Sequence, residues 1–352
     1  MDDISLSLSG GGIRAMAFHM GVLQYLSQHH LMEKIKRIST VSGGSLLIGL
    51  IIHESSMRWP DSDTYKSCVF PQLQEKLCSK SFIVSMLKLL VNPANIHMII
   101  YRANLLAEAL KREWGITYNL SELPEQPEIS MNGSTAENGK RFRFKRDTFG
   151  DYELGYADSS SFPLAEAMAV SAAFPGGIGP LTIKSSNLKW KKRPHWDAPH
   201  ESIEITPCPY NKLHLYDGGV YDNLGIEPFF DICTSTPKIE NSTLLVSDAG
   251  APYQKGGSYF ALNPWRLKRM MDLMSEQTRA LRVRSFHGYM QSSLKGCAYI
   301  WIQEEIDGGL KREDKDHPCN HPTSLRKLSI NDFEKISNHG YAVAKKFCSR
   351  QT

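Results

Sequence analysis

Two short turns rich in small residues lie near the start of the chain, and Ser42 in the second follows Gly12 in the first by thirty residues. The first turn is Ser9-Gly10-Gly11-Gly12-Ile13-Arg14, and the second is Thr40-Val41-Ser42-Gly43-Gly44-Ser45. Consecutive glycines leave backbone N–H groups open to a substrate, and a serine at a sharp strand-to-helix turn projects its hydroxyl above a sheet. The pair therefore indicates an oxyanion hole and a nucleophile, the two halves of an acyl-transfer site.

The glycine turn is assigned to the oxyanion hole because of the N–H groups it can present. Gly10, Gly11 and Gly12 supply three of them, and Gly43, next to the serine, supplies a fourth. A phosphate cradle at a helix N-terminus is the alternative for such a loop. The dinucleotide fingerprint fails because Ala15 occupies the position of its last glycine, and no Gly-Lys-Ser/Thr follows to make a phosphate loop.

Ser42 matches a nucleophile elbow in part. Such an elbow forces an unfavourable backbone conformation, which requires very small residues close to the nucleophile. Gly44, two residues after the serine, meets that requirement, whereas Thr40, two residues before it, stands where a glycine is usual. Ser45 has no matching glycine frame, so we interpret it as a helix cap.

A serine nucleophile needs a base, and the chain offers strand-end carboxylates in preference to histidines. None of the twelve histidines lies in a catalytic motif, and His19 and His97 lie in apolar segments typical of a core. Asp217 ends a predicted strand and is followed by Gly218-Gly219, which leave its carboxylate open. Asp248 also ends a predicted strand, but it is followed by Ala249-Gly250 rather than two glycines, so it is the weaker candidate. A carboxylate can act as base where apolar surroundings raise its pKa, so Asp217 is the predicted base.

Arg14 lies in the first predicted helical turn after the glycine loop. Two interpretations of it are open. Either it braces the loop, or its planar guanidinium binds the phosphate of a substrate head group. We therefore name Arg14 as a candidate substrate-binding residue.

A strand, a turn and a helix follow one another twice at the start of the chain. Apolar runs predict strands at Ile4–Leu8 and Ile35–Val41, and helical spacing of apolar residues predicts helices at Ala15–Gln28 and Gly44–His53. This alternation is typical of the α/β class with a mainly parallel sheet, whose strand ends would position both turns. Later strands are predicted at residues 129–132, 141–145, 213–216, 243–246 and 298–302, and later helices at 105–114, 164–173, 264–286 and 329–347.

Length and composition indicate one large globular core. The 352 residues are 41% hydrophobic and 22% charged, and the net charge of +4 does not demand nucleic acid. We predict a single domain over residues 1–352. Its core would lie at 4–285, with an insertion at 184–205 and a closing strand and helix within 298–347.

Cysteine usage and the start of the chain predict the compartment. Seven cysteines are widely spaced without any Cys-x-x-Cys, which argues against a disulfide framework and a zinc site and favours a reducing compartment. Met1-Asp2-Asp3 is acidic, unlike a signal peptide. No apolar run approaches the ~20 residues that span a bilayer. We therefore predict a cytoplasmic protein that is at most peripherally bound to membranes.

Two segments invite a membrane interpretation. Phe82–Tyr101 is apolar around Pro93, and it is either two core helices or an interfacial lid over an acyl channel. Residues 188–196 mix lysine and arginine with Trp190 and Trp196. A solvated loop, a membrane contact and a nucleotide contact are all open for that segment.

Taken in order, the motifs resemble the patatin-like phospholipases, and the similarity covers residues 4–285. It rests first on the two turns and on Asp217-Gly218-Gly219. Further stretches are similar to bacterial members of that family: Gly139-Lys140-Arg141-Phe142-Arg143-Phe144, Gly150-Asp151-Tyr152, Ala169-Val170-Ser171-Ala172-Ala173-Phe174-Pro175, Gly219-Val220-Tyr221-Asp222-Asn223-Leu224-Gly225 and Ser247-Asp248-Ala249-Gly250-Ala251-Pro252.

The resemblance implies a three-layer α/β/α sandwich and a catalytic dyad of Ser42 and Asp217 without a catalytic histidine. It also implies hydrolysis of lipid acyl esters without a metal or other cofactor. Thr40 and residues 184–205 depart from the family pattern.

The expected function is therefore that of a phospholipase A-type hydrolase, which forms an acyl-enzyme and has the surface of a phospholipid bilayer as its partner. Two alternatives are open. Some bacterial relatives are toxins or anti-phage effectors gated by cyclic oligonucleotides, so a nucleotide-activated effector is one of them, and a non-catalytic lipid-binding relative is the other. No stable nucleic-acid complex is expected, and no oligomeric state is predicted.

Overall fold

A computed structural model describes residues 3–92, 98, 102–175, 177–194, 198–199, 202–239, 242–253, 265–292 and 296–348. The helices are α1 Gly12–Gln28, α2 Gly43–Glu54, α3 Ser62–Thr64, α4 Phe70–Ser79, α5 Phe82–Leu90, α6 Arg102–Trp114, α7 Leu164–Ser171, α8 Gly219–Asp222, α9 Trp265–Ser292 and α10 Ile330–Cys348. Single turns of other helix types occur at Met32–Lys34, Tyr65–Val69, Leu120–Glu122, Ser185–Asn187 and Pro318–Asn320.

The strands are β1 Asp3–Leu8, β2 Ile35–Val41, β3 Glu128–Thr135, β4 Arg141–Phe144, β5 Thr148–Asp151, β6 Gly155–Asp158, β7 Leu181–Lys184, β8 Lys191–Lys192, β9 Glu204–Ile205, β10 Lys212–Asp217, β11 Phe230–Asp231, β12 Thr236–Pro237, β13 Ser242–Asp248 and β14 Cys297–Trp301. The main sheet has the order β14-β13-β1-β2-β3-β4-β5-β6-β8-β9, and β10 pairs with both β3 and β7. β11 and β12 form a separate two-stranded pair.

The central part of this mixed sheet is parallel. β14, β13, β1, β2 and β3 all run in the same direction, because helical crossovers join them. From β4 onward the strands are antiparallel. The carboxyl ends of the parallel strands therefore lie together at one edge, which we call the carboxyl edge, and both small-residue turns follow strands that end there.

Strand β13 shows that the sheet is covered on both faces. Leu245 belongs to the large apolar cluster that contains α1 and α10. Its neighbours Leu244 and Val246 point the other way, into a smaller cluster with Phe286 of α9. Because successive side chains of a strand face opposite sides, the sheet lies between two helical layers. The predicted α/β/α sandwich is confirmed.

The predicted elements are found with small shifts of their boundaries. β2 has the predicted limits, and α1 begins three residues early because the glycine loop itself turns directly into the helix. α9 continues six residues beyond the predicted end. The closing helix α10 packs so tightly across α1 that a Cβ on Gly21 would lie 1.8 Å from the carbonyl oxygen of Ser337. The single-domain organisation stays a prediction.

Residues 184–205 extend the sheet rather than forming only a solvated loop, since β8 and β9 pair beyond β6. Trp190 is 1% exposed. Its indole N–H donates to the carbonyl oxygen of Ser185 at 3.0 Å, and its ring meets Phe149 edge-on. The interpretation of Trp190 as a membrane or nucleotide contact is therefore wrong, because the ring is used in the core. Trp196 lies outside the described residues.

The first half of the apolar segment 82–101 forms the amphipathic helix α5. Phe82, Met86 and Leu89 are buried, whereas Leu87 is exposed. Of residues 93–101 only Met98 is described, and His97 lies outside the described residues. In the described part of the chain, no helix is both long enough and apolar enough to span a bilayer.

Candidate active site

Ser42 lies between the end of β2 and the start of α2, in a strained backbone conformation. Its φ is 50° and its ψ is −116°, a backbone conformation that residues other than glycine rarely adopt. Its backbone N–H donates to both the carbonyl oxygen and the hydroxyl of Ser171, at 3.1 and 3.0 Å. The side chain is half-buried at the carboxyl edge. Strain held in place by hydrogen bonds is typical of a functional turn.

A chain of buried hydroxyls supports this turn from below. Ser171 donates to the carbonyl oxygen of Asn132 at 2.6 Å. The hydroxyl oxygens of Ser45 and Ser171 are 2.7 Å apart, and so are those of Thr40 and Ser45. Because the Ser171 proton is used on a carbonyl, Ser45 donates to Ser171 and Thr40 donates to Ser45.

Thr40 stands where an elbow usually has glycine. Its hydroxyl is the first donor of the hydrogen-bonded hydroxyls that lead through Ser45 to Ser171. Ser45 was expected to cap the helix, and that expectation is wrong. The residue at the N-cap position is Ser42, and the Ser45 hydroxyl is used inside the chain of hydroxyls.

The glycine loop touches the Ser42 turn. Gly11 and Gly12 have φ values of +145° and +64°, and a Cβ on Gly43 would lie 2.3 Å from the carbonyl oxygen of Gly12. In the described part of the chain no protein acceptor faces the backbone N–H of Gly11, Gly12 or Gly43. The Gly10 N–H donates to the carbonyl oxygen of Asn223 at 3.1 Å. Gly10 was expected to contribute a free donor to the oxyanion hole, and that expectation is wrong.

Asp217 ends β10 and reaches the same edge through an antiparallel pairing. It lies opposite Gly133 of β3, whose neighbour Asn132 lies opposite Val41 of β2. The Asp217 carboxylate is buried, accepts the Gly219 N–H at 2.7 Å, and lies close enough to Ser42 for that side chain to act on its pKa. The structure thus brings the predicted nucleophile and the predicted base together at one edge.

Burial raises the pKa of Asp217 from 3.8 to about 7, although the hydrogen bonds from Gly219 and Ser42 act to lower it. Among the described residues no Lys or Arg pairs with this carboxylate, and no histidine is hydrogen-bonded to it or to Ser42. A carboxylate with this pKa is partly ionised at neutral pH and can accept a proton directly from a hydroxyl. The arrangement can therefore perform acyl transfer without an imidazole.

Sequence reasoning gave no role to Asn223, which lies between the glycine loop and the turn after Asp217. Its side-chain oxygen would lie 2.4 Å from a Cβ on Gly10 and 2.8 Å from a Cβ on Gly219. Asn223 therefore explains why both positions lack a side chain. Its position within Gly219-Val220-Tyr221-Asp222-Asn223-Leu224-Gly225 was the available signal.

Arg14 is buried rather than open to a substrate. It is 1% exposed, and its guanidinium donates to the carbonyl oxygens of Ala249 and His321 at 2.8 and 2.7 Å. Burial lowers the pKa of Arg14 to about 10. The structure matches the loop-brace alternative and contradicts the head-group contact, because the side chain is buried and both of its terminal nitrogens donate to backbone carbonyls.

His19 is buried behind the glycine loop, as its apolar segment predicted. Its Nε2 lies 3.0 Å from the carbonyl oxygen of Ser9, so Nε2 carries the proton, and Nδ1 accepts from the hydroxyl of Ser247 at 2.7 Å. Burial lowers the pKa of His19 to about 4. This neutral histidine supports the loop and does not reach Ser42.

Asp248, the weaker candidate for the base, has a different environment. Its carboxylate is fully buried and forms an ion pair with Arg279 at 2.8 Å. The hydroxyl of Tyr299 donates to the same carboxylate. This carboxylate is therefore bound by a cation and a hydroxyl, and none of its described contacts is with the nucleophile.

A cavity of about 230 Å³ opens next to Asp217. Ser134, Thr135, Tyr216, Val220, Tyr221 and Arg282 are among its lining residues, and none of the described residues that line it is Ser42 or an oxyanion glycine. The cavity is therefore a neighbour of the dyad and does not contain it. Among the described residues no cluster of three or more His, Cys, Asp or Glu side chains is arranged to hold a metal ion.

The fold of this chain is similar to that of solved structures. Human GIVD cytosolic phospholipase A2 superposes with a TM-score of 0.56 at 11% identity, which covers 99% of this chain and 59% of that chain. The same human enzyme in complex with methyl gamma-linolenyl fluorophosphonate gives a TM-score of 0.53 at 13% identity, with 99% and 58% covered. No curated protein sequence matches the chain.

At these identities the superpositions show the fold alone, and the chain spans about three fifths of the length of the human enzyme. The family model described as Patatin-like phospholipase matches residues 6–230, which include both turns and the end of β10. This match covers well over half of the chain and agrees with the order of elements around Ser42 and Asp217. The chain therefore belongs to the patatin-like phospholipase family.

Proposed function

We propose that this protein is a lipid acyl hydrolase that cleaves fatty-acyl esters of membrane phospholipids, with Ser42 as nucleophile and Asp217 as base. The observation that carries the proposal is that the strained Ser42 lies beside the buried carboxylate of Asp217, whose pKa burial raises to about 7. Free N–H groups of Gly11, Gly12 and Gly43 next to that serine support it.

The first half-reaction forms an acyl-enzyme. Asp217 accepts the proton of the Ser42 hydroxyl while the serine oxygen bonds to the carbonyl carbon of the ester. The N–H groups of Gly11, Gly12 and Gly43 donate to the oxyanion of the tetrahedral intermediate. When the intermediate collapses, the bond to the lysolipid oxygen breaks and that oxygen takes the proton from Asp217.

The second half-reaction releases the fatty acid. A water molecule gives a proton to Asp217, and its oxygen attacks the acyl carbon. The same three N–H groups hold the second oxyanion. The Ser42 oxygen then leaves and regains a proton from Asp217, so both residues return to their starting states.

The hydroxyl chain under the elbow positions the nucleophile in this scheme. Ser171 binds the Ser42 N–H and is itself bound by Ser45, which receives a hydrogen bond from Thr40. These residues hold the strained backbone, so that the hydroxyl of Ser42 stays directed at Asp217. They act through Ser42 and are positioning residues.

Two measurements test the proposal. Mixed phospholipid vesicles are incubated with wild type and with Ser42→Ala, and released fatty acids and lysolipids are measured by mass spectrometry. We expect release by wild type and none above background by the variant. A fluorophosphonate, the class of inhibitor named with the human enzyme, should label wild type covalently and fail to label Ser42→Ala.

Thr40→Val is a useful companion variant because it keeps both members of the dyad. Full hydrolysis by a folded Ser42→Ala protein would contradict the proposal. Labelling of wild type without any hydrolysis, followed by hydrolysis after addition of a cyclic oligonucleotide, would instead favour the ligand-gated effector.

A further inference from the structure

Helix α9 is longer than the strands on which it packs. It has 28 residues and is therefore about 42 Å long. The neighbouring strand β13 has seven residues and spans about 23 Å. Part of α9 must therefore extend beyond the sheet.

Side-chain contacts show which end extends. Arg279, near the middle of α9, pairs with Asp248 at the carboxyl end of β13. Phe286, seven residues later, meets Phe230 and Tyr299 at ring distances of 5.5 and 6.5 Å, over the body of the sheet. The helix thus runs back along the sheet after Arg279, and its first half projects past the carboxyl edge.

Two further contacts agree with this direction. Arg282 donates to the carbonyl oxygen of Tyr221 at 2.9 Å, which places that turn of α9 against α8, just after Asp217. The guanidinium of Arg269 lies 4.1 Å from the ring centroid of Tyr253, which is five residues beyond the end of β13. The projecting half of α9 therefore lies on the same side of the sheet edge as Ser42 and Asp217.

Exposed apolar side chains lie along the outward side of α9. Met270, Leu273 and Met274 of the projecting half are 55%, 40% and 63% exposed, and Leu281, just after Arg279, is 60% exposed. The exposed Gln277 falls between Met274 and Leu281 on this side. At about 100° per residue the four apolar positions fall within a sector of about 100°, so they form one line along the helix. We call them the α9 stripe. The outward face of a helix on a globular protein is ordinarily polar, so the stripe calls for a partner.

The charge of the chain indicates what that partner is. α9 contains six Lys and Arg residues and two Asp and Glu residues, which leaves +4. Two of the six, Arg279 and Arg282, pair with Asp248 and Asp222 on other elements. The remaining four cationic and two acidic residues leave α9 a net charge of +2 for a partner.

We propose that the α9 stripe docks on the surface of a bilayer that contains anionic phospholipid and thereby holds the carboxyl edge toward its substrate. The proposal rests on the proposed function, because that function puts the substrate in a bilayer. An apolar line on a cationic helix is the usual composition of an interfacial anchor, in which buried apolar area and attraction to anionic lipid act together.

The experiment separates docking from chemistry. The variant Met270→Gln/Leu273→Gln/Met274→Gln is compared with wild type in sedimentation with phosphatidylcholine vesicles that contain or lack phosphatidylglycerol. We expect its partitioning onto the anionic vesicles to fall about tenfold or more, and vesicle hydrolysis to fall with it. Hydrolysis of p-nitrophenyl butyrate, a water-soluble ester, should be unchanged.

Ile203→Gln/Ile205→Gln is the matched control. Both side chains are exposed, at 49% and 69%, and β9 lies at the opposite end of the sheet from β14. This variant loses a comparable apolar area far from α9, so its partitioning should equal that of wild type.

Three outcomes would overturn the inference. One is unchanged vesicle partitioning of the α9 variant, another is equal loss in the β9 control, and the third is failure of wild type to bind anionic vesicles. If the α9 substitutions instead dissociate an oligomer in analytical ultracentrifugation and leave vesicle binding intact, the stripe is an interface between copies of the chain. Failure of the proposed chemistry would appear separately, as absent hydrolysis of the soluble ester by wild type.

Discussion

Asp217 and Asp248 occupy equivalent local positions in the sheet. Each is the last residue of a strand, and in each the carboxylate accepts the N–H of the glycine two residues later, at 2.7 Å for Gly219 and 2.8 Å for Gly250. Both carboxylates are buried. Judged from the local turn alone, the two residues are interchangeable.

Their remaining contacts set them apart. Asp248 meets Arg279 and Tyr299, whereas Asp217 meets the hydroxyl of Ser42 and has no cation among the described residues. Burial without a cation raises the pKa of Asp217 to about 7, a value suited to a base. The comparison teaches that a remote arginine, rather than the strand-end motif, separates a structural carboxylate from one prepared for proton transfer.

The largest expected difference between Asp217 and Asp248 is in hydrolytic activity. Asp217→Asn should lower vesicle hydrolysis by about 10³-fold or more, because the base is lost. Asp248→Asn should stay within about tenfold of wild type at a temperature where it is folded, since Asp248 does not touch Ser42. Fatty-acid release by both variants measures this, and circular dichroism checks folding. Equal losses in the two variants would remove the distinction.

The second effect is on stability. Asp217→Asn should raise the free energy of unfolding although it lowers activity. The pKa of Asp217 is about 7 in the folded state and 3.8 as its reference value. The folded protein therefore binds this proton more tightly, so the associated stability is complete below about pH 4 and is lost as the pH rises to about 7. The difference corresponds to about 4 kcal/mol.

Asp217→Asn avoids that loss because asparagine does not ionise. Its free energy of unfolding at pH 8 should therefore exceed that of wild type by up to about 4 kcal/mol, and the gain should vanish near pH 4. Urea denaturation at the two pH values measures both. A variant less stable than wild type at pH 8 would show that burial does not penalise the Asp217 charge.

Asp248→Asn should instead destabilise the protein. Removing one partner of a buried ion pair leaves Arg279 without its main counter-charge, and such changes typically cost 3–5 kcal/mol. We expect about 3 kcal/mol in urea denaturation, because Glu276 still pairs with Arg279 at 2.8 Å. Glu276→Gln is the matched control, with an expected cost of about 1 kcal/mol, since Glu276 is partly exposed and Asp248 still pairs with Arg279.

The smallest effect is on the pH dependence of kcat/KM, which should reflect Asp217 and not Asp248. Hydrolysis requires ionised Asp217, so kcat/KM should fall about tenfold per pH unit below about pH 7. Asp248→Asn should show the same inflection, because Asp248 takes no part in the proton transfer. A soluble ester is the right substrate, since vesicle binding itself varies with pH. An inflection near pH 4 would contradict the elevated pKa of Asp217.

Local patterns were enough to locate the candidate site of this protein. A serine among small residues after one strand and an aspartate before glycines after another are backbone features, visible without knowledge of the fold. The strand β2 was predicted with its observed limits for the same reason, since its apolar run ends directly at the turn. Parallel pairing of β1 and β2 then places the glycine loop and the Ser42 turn at one edge, whereas Asp217 reaches that edge through the antiparallel pairing of β10 with β3.

The errors concern groups that have at least one partner distant in the chain. Arg14 was a candidate for substrate binding, yet carbonyl groups of Ala249 and His321 enclose it. Trp190 was a candidate for membrane contact, yet Ser185 and Phe149 hold it in the core. Gly10 was assigned to the oxyanion hole, yet its N–H is bound by Asn223.

Residue types and their spacing thus specified the α/β class and the proposed nucleophile and base, because strand ends and tight turns depend on neighbours a few residues away. Tertiary structure alone determined which aspartate stays free of a cation, which glycine N–H groups stay open, and how Thr40, Ser45 and Ser171 hold the elbow. Those properties depend on burial and on contacts between residues up to some 300 positions apart, as between Arg14 and His321. Propensity and periodicity act over a few turns, so they contain no information about contacts at such separations.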